Sequence, residues 1–465
     1  MIPAGAPIVT VEELRAAEEA AFRHVSQEDL MERAGAAVAR EAARFANGRP
    51  ILVLAGPGNN GGDGYVVARL LKAQGHDVAV AAMGEPHGGG AAAMFERWDG
   101  KTTSLYEARA RPFVVDGLFG TGMTRPMERG PRALMADLVK AAEFSLAIDL
   151  PSGLDTDTGA DFGAPCVSAT VALGALKPAH LLNAGLEKCG HVLLADIGVA
   201  VDRHWRTVAR PRLSAPGPYD HKYTRGMVAV IEGAMPGAAR LAAGSALAGG
   251  AGYVTLVGAG PQSGIDALVR RTIGGAEDLA DFLGDERIGA VVIGPGLGRD
   301  RRGEGLLKAV LAANHPLVLD GDALTLLGAN AARWLQTRHE AAWLTPHSGE
   351  FNRMFGAGEG SKIDRTLVAA AETGATIVHK GADTVIASPT GEVRVLAGAS
   401  PWLSTAGTGD VLAGLLGAQV AGGQKGLAAA ETAVWLHARA ATRSGPAFIA
   451  DALIGQIPEA IAECL

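Results

Sequence analysis

The chain has 465 residues, of which 48% are hydrophobic, 20% charged and 5% aromatic. This hydrophobic content suffices for large buried cores, so a wholly disordered chain is excluded. A net charge of −7 argues against a broad nucleic-acid surface or an anionic-membrane surface. The 64 glycines are about twice the usual share and show no Gly-X-Y period, which excludes collagen and indicates turns or ligand loops.

Three cysteines, Cys166, Cys189 and Cys464, are too few and too irregularly spaced for a disulfide framework or a cysteine-based zinc site. Residues 1–20 lack a basic segment followed by an apolar one, so we expect no signal peptide. The longest uncharged run, residues 241–265, is rich in Ala and Gly, whereas a membrane helix needs about 20 strongly apolar residues. We expect a cytoplasmic homo-oligomer that binds neither membranes nor nucleic acid.

Two helices are predicted before the first strand. Thr10 and Glu13 form a T-x-x-E capping box, and Ser26 with Asp29 marks a second helix start. Short apolar runs then alternate with helical stretches, which predicts a mostly parallel, doubly wound sheet. The predicted strands of this half span residues 51–55, 78–82, 113–115, 146–150, 170–173 and 192–195.

A proline-rich stretch without periodicity, RPRLSAPGPYD at residues 210–220, indicates a linker. The alternation of strands and helices then restarts. We therefore predict two α/β domains over residues 1–212 and 222–465, joined by a linker of residues 213–221. The predicted strands of the second domain span residues 227–231, 253–257, 290–293, 317–319, 342–344, 376–379 and 384–387.

The glycine-rich loop GPGNNGGDG, residues 56–64, follows the first strand and precedes a helix. Free N–H groups at such a helix start favour anions, and glycine lets a phosphate approach the backbone. Gly56, Gly58 and Gly61 satisfy G-x-G-x-x-G, so a dinucleotide-binding dehydrogenase with Glu85 as its ribose acid is one interpretation. The two helices before the first strand and the polar pair after Gly58 argue against it.

Two further strand ends carry polar clusters, one at Asp116 and one at Asp149. Ligands of open α/β sheets bind at the carboxyl ends of strands, so three polar loops indicate one crevice. Asn60, Asp116 and Ser152 offer oxygens that suit a hard cation, and Asp149 is a candidate acid/base. The alternative is that these are ordinary turn residues, since Asn, Asp and Gly are common in turns.

Together, GPGNNGGDG, DGLFGTG and IDLPSGLD resemble the NAD(P)H-hydrate epimerase domain of the YjeF N-terminal type, over about residues 8–212. The resemblance implies interconversion of the R and S epimers at the hydrated nicotinamide carbon, with Asp149 as the acid/base group. It also implies K⁺ bound by Asn60, Asp116 and Ser152. The residues that it places at the hydrated nucleotide are Asn59, Asn60, Gly61, Gly62, Asp63, Gly120, Thr121, Gly122, Met123, Thr124, Arg125, Pro126 and Asp149.

In the second half, Gly407-Thr408-Gly409 opens an apolar helix with Asp410 in its first turn. The N–H groups at that start form an anion hole, and Asp410 could take a proton from a hydroxyl that attacks a phosphoryl group. An Asp in the first turn of a helix is favourable in any case, which is the alternative. Glu350 is either a helix-start carboxylate or an aid to Mg²⁺.

GPGLG, DGDAL, LTPHSGEF, KGADT and AGTGD appear in that order and resemble the ADP/ATP-dependent NAD(P)H-hydrate dehydratase, over about residues 220–465. The resemblance implies a ribokinase-like fold, ADP or ATP as co-substrate, Mg²⁺, and Asp410 as the catalytic residue. Bacterial members of that family prefer ADP. Its implied residues at the hydrate are Ala238, Gly298, His347 and Asp410, and those at the nucleotide are Lys380, Gly381, Ala382, Asp383, Thr384, Gly407, Thr408 and Gly409.

The two resemblances imply one bifunctional enzyme that repairs hydrated NADH and NADPH, in which the epimerase supplies the S epimer to the dehydratase. Its expected folds are a Rossmann-like three-layer α/β/α sandwich followed by a ribokinase-like α/β/α domain. The lack of a Walker A motif excludes a P-loop kinase. The alternative is a ribokinase-like kinase of a small alcohol or vitamin precursor, with a non-catalytic binding module at its N-terminus.

Overall fold

The computed structural model describes residues 2–86, 88–201, 204–259 and 264–465. The chain forms two compact units, unit 1 (Met1–Thr207) and unit 2 (Val208–Leu465). Residues 213–221, for which a linker was predicted, belong to unit 2, where the Leu213 N–H donates to the Cys464 carbonyl at 2.9 Å. None of the described helices has the length and apolar character needed to cross a membrane.

Unit 1 has helices between the strands of one sheet, in the predicted alternation. Its described helices are α1 (Val11–Ala21), α2 (Gln27–Ala46), α3 (Asn59–Ala73), α4 (Gly89–Glu96), α5 (Arg129–Ala141) and α6 (Gly185–Lys188). The described strands of this sheet are β1 (Ile51–Ala55), β2 (Val78–Ala82), β3 (Thr102–Ser104), β4 (Phe113–Gly117), β5 (Phe144–Ile148), β6 (Ala169–Leu173) and β7 (His191–Ala195), and a further strand, β8 (Trp205–Thr207), lies outside it.

The sheet of unit 1 has the order β3-β2-β1-β4-β5-β6-β7, and every neighbouring pair is parallel. The predicted parallel sheet is confirmed. The strand order reverses direction between β1 and β4, so the carboxyl ends of these two strands frame a crevice. Both predicted helix starts are also confirmed, since the side chains of Thr10 and Ser26 accept from the third residue of α1 and of α2.

Helices cover both faces of this sheet. Successive residues of each strand point to opposite faces, so one strand contacts helices on both sides. Ile51 and Val53 of β1 lie in a core cluster with residues of α2 and α3. Leu52 and Leu54 of the same strand lie in another cluster with Met135 and other residues of α5. The three-layer α/β/α sandwich expected for the first domain is thereby confirmed.

Unit 2 continues the alternation. Its described helices are α7 (Pro236–Ala248), α8 (Ala276–Phe282), α9 (Arg301–Ala312), α10 (Gly321–Leu327), α11 (Ala331–Leu335), α12 (Ser348–Phe355), α13 (Lys362–Thr373), α14 (Thr408–Ala421), α15 (Gly426–Ser444), α16 (Ala450–Ile454) and α17 (Ile457–Ala462). Its described strands are β9 (Met227–Ile231), β10 (Tyr253–Gly258), β11 (Val269–Thr272), β12 (Ile288–Ile293), β13 (Leu317–Leu319), β14 (Ala342–Leu344), β15 (Thr376–His379), β16 (Asp383–Ala387) and β17 (Val393–Ala397).

These strands follow the order β11-β10-β9-β12-β13-β14-β15-β16-β17. The pairs from β11 to β15 are parallel, whereas β15, β16 and β17 pair antiparallel. One large core cluster joins alternate residues of the central strands, such as Val228 and Val292, to α7, α14 and α15. Helix α14 lies so close to α7 that a Cβ at Gly414 would come within 1.9 Å of the Ala242 carbonyl oxygen.

Candidate active sites

A cavity of about 380 Å³ opens at the carboxyl ends of β1, β4 and β5 in unit 1. Helices α1 and α2 close its other side, through residues such as Leu14, Glu18 and Met31. The residues of the predicted epimerase site that line this cavity are Asn59, Asn60, Asp63, Gly120, Thr121, Gly122 and Asp149. The structure therefore brings the three predicted loops to one place.

The glycine-rich loop of residues 56–64 is shaped by backbone packing. A Cβ at Gly56 would lie 1.8 Å from the Leu118 carbonyl oxygen, and one at Gly61 would lie 1.8 Å from the Gly56 oxygen. A Cβ at Gly62 would meet the sulfur of Met31 at 2.5 Å. At Gly58, by contrast, nothing lies within 4 Å, and this residue lines the cavity. Only part of the glycine pattern therefore faces the cavity.

Asp149 directly follows β5 and is buried, with 6% of its surface exposed. Its φ of +62° is uncommon for a residue other than glycine, and such strained residues cluster at functional sites. One carboxylate oxygen, Oδ1, accepts from the Leu173 N–H at 3.0 Å and from the Lys177 ammonium at 2.5 Å. The side chain of Asp149 is thus held in one position beside a buried positive charge.

Lys177 and His180 complete this arrangement from the segment that follows β6. Lys177 is fully buried and also donates to the Leu173 carbonyl at 2.8 Å. His180 accepts from the Lys177 N–H through Nδ1, which leaves Nε2 to donate to the Asp149 carbonyl at 2.6 Å. Burial, and then the charge of Lys177, lowers the pKa of His180 to about 4, so this imidazole is neutral at physiological pH. The strained Asp149 is therefore fixed at both its backbone and its side chain.

A second carboxyl, Asp63, faces the same cavity from the first two turns of α3. It is 8% exposed, and burial raises its pKa well above the usual range, with further contributions from the charges of Asp149 and Glu18. Glu18 of α1 lies at the cavity mouth. Burial raises the pKa of Glu18 as well, although Lys177 and Arg15 oppose that shift. The carboxyl groups of Asp63, Asp149 and Glu18 in this cavity therefore differ in their burial and in their charged neighbours.

The predicted cation ligands lie beside this cavity. Asp116 is fully buried and accepts from the Ser152 N–H at 2.8 Å, the Ser152 hydroxyl at 2.7 Å and the Leu118 N–H at 3.2 Å. Burial raises the pKa of Asp116 despite these bonds. In the described part of the chain, Asp116 makes no ion pair, and the buried amide nitrogen of Asn60 has no hydrogen-bond partner, so turning this amide to present its oxygen to a cation would break no bond of that nitrogen. A monovalent cation with oxygen ligands fits this set, since its charge would offset the burial of Asp116.

Gly61 and Gly62 line neither this cavity nor the next, whereas four other predicted residues of the first site line a neighbouring, wider cavity of about 960 Å³. They are Met123, Thr124, Arg125 and Pro126, and Phe119 and Gly122 line both cavities. The loop of residues 119–126 therefore separates a narrow, strongly charged cavity from a broader one with an exposed arginine.

In unit 2, three predicted elements meet at the start of α14. Gly407 precedes the helix at φ +91°, a conformation that favours glycine. Lys380 donates to Asp320 Oδ1 at 2.7 Å. A Cβ at Gly409 would lie 3.2 Å from the Lys380 ammonium and 3.8 Å from Asp320 Oδ2. The helix N-terminus and the lysine thus present two sources of positive potential at one point.

Asp410 lies in the first turn of α14. Burial is the main reason that its pKa rises to about 6, and the charge of Asp320 adds to the shift while that of Lys380 opposes it. The charge of Asp322 raises the pKa of Asp410 further. The Asp322 carboxylate also accepts a hydrogen bond, at 3.0 Å, from the N–H of Gly298, one of the residues predicted at the hydrate. A carboxyl that titrates near pH 6 is well suited to accept a proton in a catalytic step at neutral pH.

A mainly apolar cavity of about 560 Å³ adjoins the start of α14. The predicted residues that line it are His347, Lys380, Gly381, Ala382, Thr384, Thr408 and Gly409. Leu396, Leu412 and Val434 supply apolar walls. His437, whose pKa burial lowers to about 4, donates from Nε2 to the Thr408 carbonyl at 2.9 Å. The cavity has the size and lining that suit an aromatic base near a phosphate site.

Several predicted residues of unit 2 have structural contacts of their own. Asp383 pairs with Lys362 at 2.6 Å, and Ala238 lies on α7 beside Gly296. His347 caps α12, where its Nδ1 accepts from the Gly349 and Glu350 N–H groups. Glu350 accepts from the His347 N–H at 2.9 Å, so it is a helix-start carboxylate in this structure.

Among the residues of these sites that have no counterpart in the predicted set are Lys177, His180 and His437. The only sequence signal for the first two is a lysine and a histidine in LKPAH, directly after a strand and among apolar residues. His437 lies within the regular pattern of α15 and gave no signal.

Comparison with known families gives two matches. Residues 27–179 match the family described as YjeF-related protein N-terminus, and residues 228–459 match the family described as NAD(P)H-hydrate dehydratase. Each match falls within one unit of the structure, and together they include most residues of the two candidate sites, although Glu18 and His180 lie outside the first match.

Similar proteins match over most of the chain. The bifunctional NAD(P)H-hydrate repair enzyme Nnr of Mycobacterium tuberculosis is 35% identical, with 89% of each chain covered. The enzyme of the same name from Gloeobacter violaceus is 38% identical, with 92% of this chain and 91% of that protein covered. A solved structure of the ADP/ATP-dependent NAD(P)H-hydrate dehydratase from Bacillus subtilis, co-crystallised with ATP/Mg²⁺, is 28% identical, with a TM-score of 0.49 and 55% and 95% coverage.

Proposed function

Since the chain belongs to the family of bifunctional NAD(P)H-hydrate repair enzymes, we propose that it restores hydrated NADH and NADPH in two steps. One step epimerises the R and S hydrates, and the other dehydrates the S hydrate at the expense of ADP or ATP. The observation that carries this proposal is a match to bifunctional relatives over 89% of both chains. We assign epimerisation to the predicted domain of residues 1–212 and dehydration to that of residues 222–465.

In unit 1, the hydrate binds in the cavity at the carboxyl ends of β1, β4 and β5, with Asp149 as the base at the hydrated carbon. This assignment is supported by the fixed position of Asp149, which accepts hydrogen bonds from Leu173, Lys177 and His180. Of the predicted contacts, Asn59, Asn60, Asp63 and residues 120–122 line the same cavity. Residues 123–126 extend the binding surface into the wider cavity, where the rest of the dinucleotide fits.

Asn60, Asp116 and Ser152 are the proposed K⁺ ligands. K⁺ would supply positive charge beside the substrate and balance the buried carboxylate of Asp116. Two hydrogen bonds from Ser152 to the Asp116 carboxylate hold these two ligands in place. The chemistry of these oxygens supports a hard cation.

In unit 2, Asp410 takes the proton of the substrate hydroxyl as that oxygen attacks the terminal phosphoryl group of ADP or ATP. A phosphorus–oxygen bond forms to the substrate, and the bond to the shortened nucleotide breaks. The N–H groups at the start of α14 and the Lys380 ammonium stabilise the negative charge of the transferred group. Phosphate then leaves with its oxygen, the neighbouring carbon loses a proton, and the nicotinamide ring is restored.

The apolar cavity beside α14 is the proposed adenosine site, with residues 380–384 and 407–409 at the nucleotide and Ala238, Gly298 and His347 at the hydrate. Mg²⁺ usually binds nucleotide phosphates and one or two carboxylates of the protein. Asp320 fits that requirement, because its Oδ2 lies near Gly409. The metal would neutralise phosphate charge at this point.

The test is the recovery of absorbance at 340 nm from mixed-epimer NADH hydrate with Mg²⁺, K⁺ and either ADP or ATP. Complete recovery is expected, and the comparison of nucleotides shows which one is used. Recovery that stops at the S fraction would refute the epimerase assignment. Failure with both nucleotides would refute the dehydratase and favour a kinase of a small alcohol. The homo-oligomer and the cytoplasmic location remain predictions.

A further inference from the structure

We propose that Asp63 is a second catalytic residue of the epimerase, the acid that acts together with the base Asp149. The inference rests on the proposed epimerase function and deepens it. Asp63 and Asp149 face one small cavity from α3 and from the end of β5, while the Lys177 ammonium neutralises only Asp149.

Epimerisation of a carbon that carries both a hydroxyl and a ring nitrogen can proceed by ring opening. Asp149 accepts the hydroxyl proton, the carbon–oxygen bond becomes a carbonyl, and the carbon–nitrogen bond breaks. Asp63 gives its proton to the nitrogen as the electron pair of that bond arrives there. The open form turns its carbonyl group, and the reverse transfers close the ring on the other face. Both carboxyls thereby regain their starting protonation states, and no other reactant is consumed.

The surroundings of the two carboxyls suit these opposite tasks. Asp149 accepts two hydrogen bonds at one oxygen, one of them from the buried Lys177 ammonium, so its carboxylate has a cationic partner. Asp63 is buried to a similar degree, but its side chain makes no hydrogen bond or ion pair with the described residues. Burial and the nearby charges of Asp149 and Glu18 raise its pKa, which supports a protonated Asp63. Two groups with opposed protonation in one cavity form an acid–base pair.

The other charged groups that face Asp63 are Lys177, Arg15 and Glu18. Glu18 is the competing candidate for the acid. It is only partly buried on α1, and Lys177 and Arg15 both favour its charged form. Neither cation lowers the pKa of Asp63, which burial and the charges of Asp149 and Glu18 raise, so we assign the proton to Asp63.

The test measures conversion of purified R hydrate to S by chiral chromatography of the nucleotide mixture, with K⁺ but without ADP or ATP. In the full chain, Asp63→Asn is expected to lower kcat about 10²- to 10⁴-fold with little change in KM, since asparagine keeps the shape but has no proton to transfer. The wild-type rate should fall on the alkaline side of its pH profile as Asp63 loses its proton, and this alkaline fall should be absent in Asp63→Asn. Dehydration of S hydrate with ADP, in unit 2, is the internal control for intact protein.

Near-wild-type kcat for Asp63→Asn, beside an active wild type, would overturn this inference and leave the epimerase function standing. Loss of the alkaline fall in Glu18→Gln would move the acid to Glu18 and also overturn it. A wild type without any R-to-S conversion would overturn both proposals. If Asp63→Asn does not fold, Asp63→Glu provides the test, since it retains a carboxylic acid. This variant is expected to have a lower kcat and to keep the alkaline fall in rate. Loss of the alkaline fall in Asp63→Glu would contradict the assignment.

Discussion

Replacement of Asp410 by asparagine should make the protein more stable at alkaline pH and nearly inactive as a dehydratase. Burial of the charged carboxylate raises the pKa of Asp410 from 3.8 to about 6. At ~1.4 kcal/mol per pH unit, this corresponds to at most about 3 kcal/mol of stability lost to the buried charge. Because the group is partly exposed, solvent screening reduces the expected gain to roughly 1–2 kcal/mol.

The pH dependence gives this prediction its sign. The folded protein binds the Asp410 proton more tightly than the unfolded chain, so the cost is fully present above pH 6. It decreases as the pH falls through about 6 and disappears below 3.8, where the carboxyl is protonated in both states. Asp410→Asn has no charge to bury. The stability difference should therefore be largest near pH 8 and absent near pH 4.

Scanning calorimetry of both proteins at pH 8 and at pH 4 measures this difference. The transition that shifts upward with ADP identifies unit 2, because a ligand stabilises the unit that binds it. Dehydration of S hydrate should fall about 10²- to 10⁴-fold without the base, while R-to-S conversion stays unchanged. If Asp410→Asn is no more stable than the wild type at pH 8, burial of the charged Asp410 carboxylate does not destabilise the fold, and the prediction is refuted.

Three further predictions concern unit 1. Asp149→Asn should stop R-to-S conversion, so that absorbance at 340 nm recovers only to the S fraction; full recovery at the wild-type rate would place the base elsewhere. Replacement of K⁺ by choline at constant ionic strength should slow epimerisation but not dehydration, and Asn60→Ala should abolish the response to K⁺; equal effects on both activities would contradict a local K⁺ site. Gly61→Ala should displace or unfold the glycine-rich loop of residues 56–64, because the added Cβ would lie 1.8 Å from the Gly56 carbonyl oxygen. Gly58→Ala should fold and only weaken substrate binding. Equal melting temperatures of these two variants would show that Gly61 tolerates a side chain.

The central strands were predictable from the sequence because both of their faces are buried. Strands of this kind are continuous apolar runs, and the predicted bounds of β1, β2, β9, β13, β14 and β15 agree with the structure. Edge strands lack this signal. β3 (TTS) and β11 (VRRT) carry polar side chains, and both were missed. The antiparallel strand β17 was missed too, although it supplies Leu396 to the apolar cavity.

Within the sites, the loops that follow strands were predictable, whereas their partners were not. Asp149 and Asp410 were found because each stands in a motif with glycine and a strand or helix boundary. Lys177 is 28 residues from Asp149 and meets it only because β5 and β6 are neighbours in the sheet. That pairing is a property of the folded topology, so a local pattern contains no trace of the ion pair.

The motif glycines explain why the patterns located the sites without revealing their chemistry. Gly56 and Gly61 are required by contacts between backbone segments, and a Cβ at Gly294 would lie 1.7 Å from the Asp320 oxygen. Gly58 and Gly409, in contrast, border space that a ligand can enter. The pattern therefore records mainly how tightly one loop must pack on the next. Since the packing of Gly56 and Gly61 fixes where α3 begins, it also fixes where Asp63 faces its cavity. The chemistry then follows from side chains that distant strands bring to the same place.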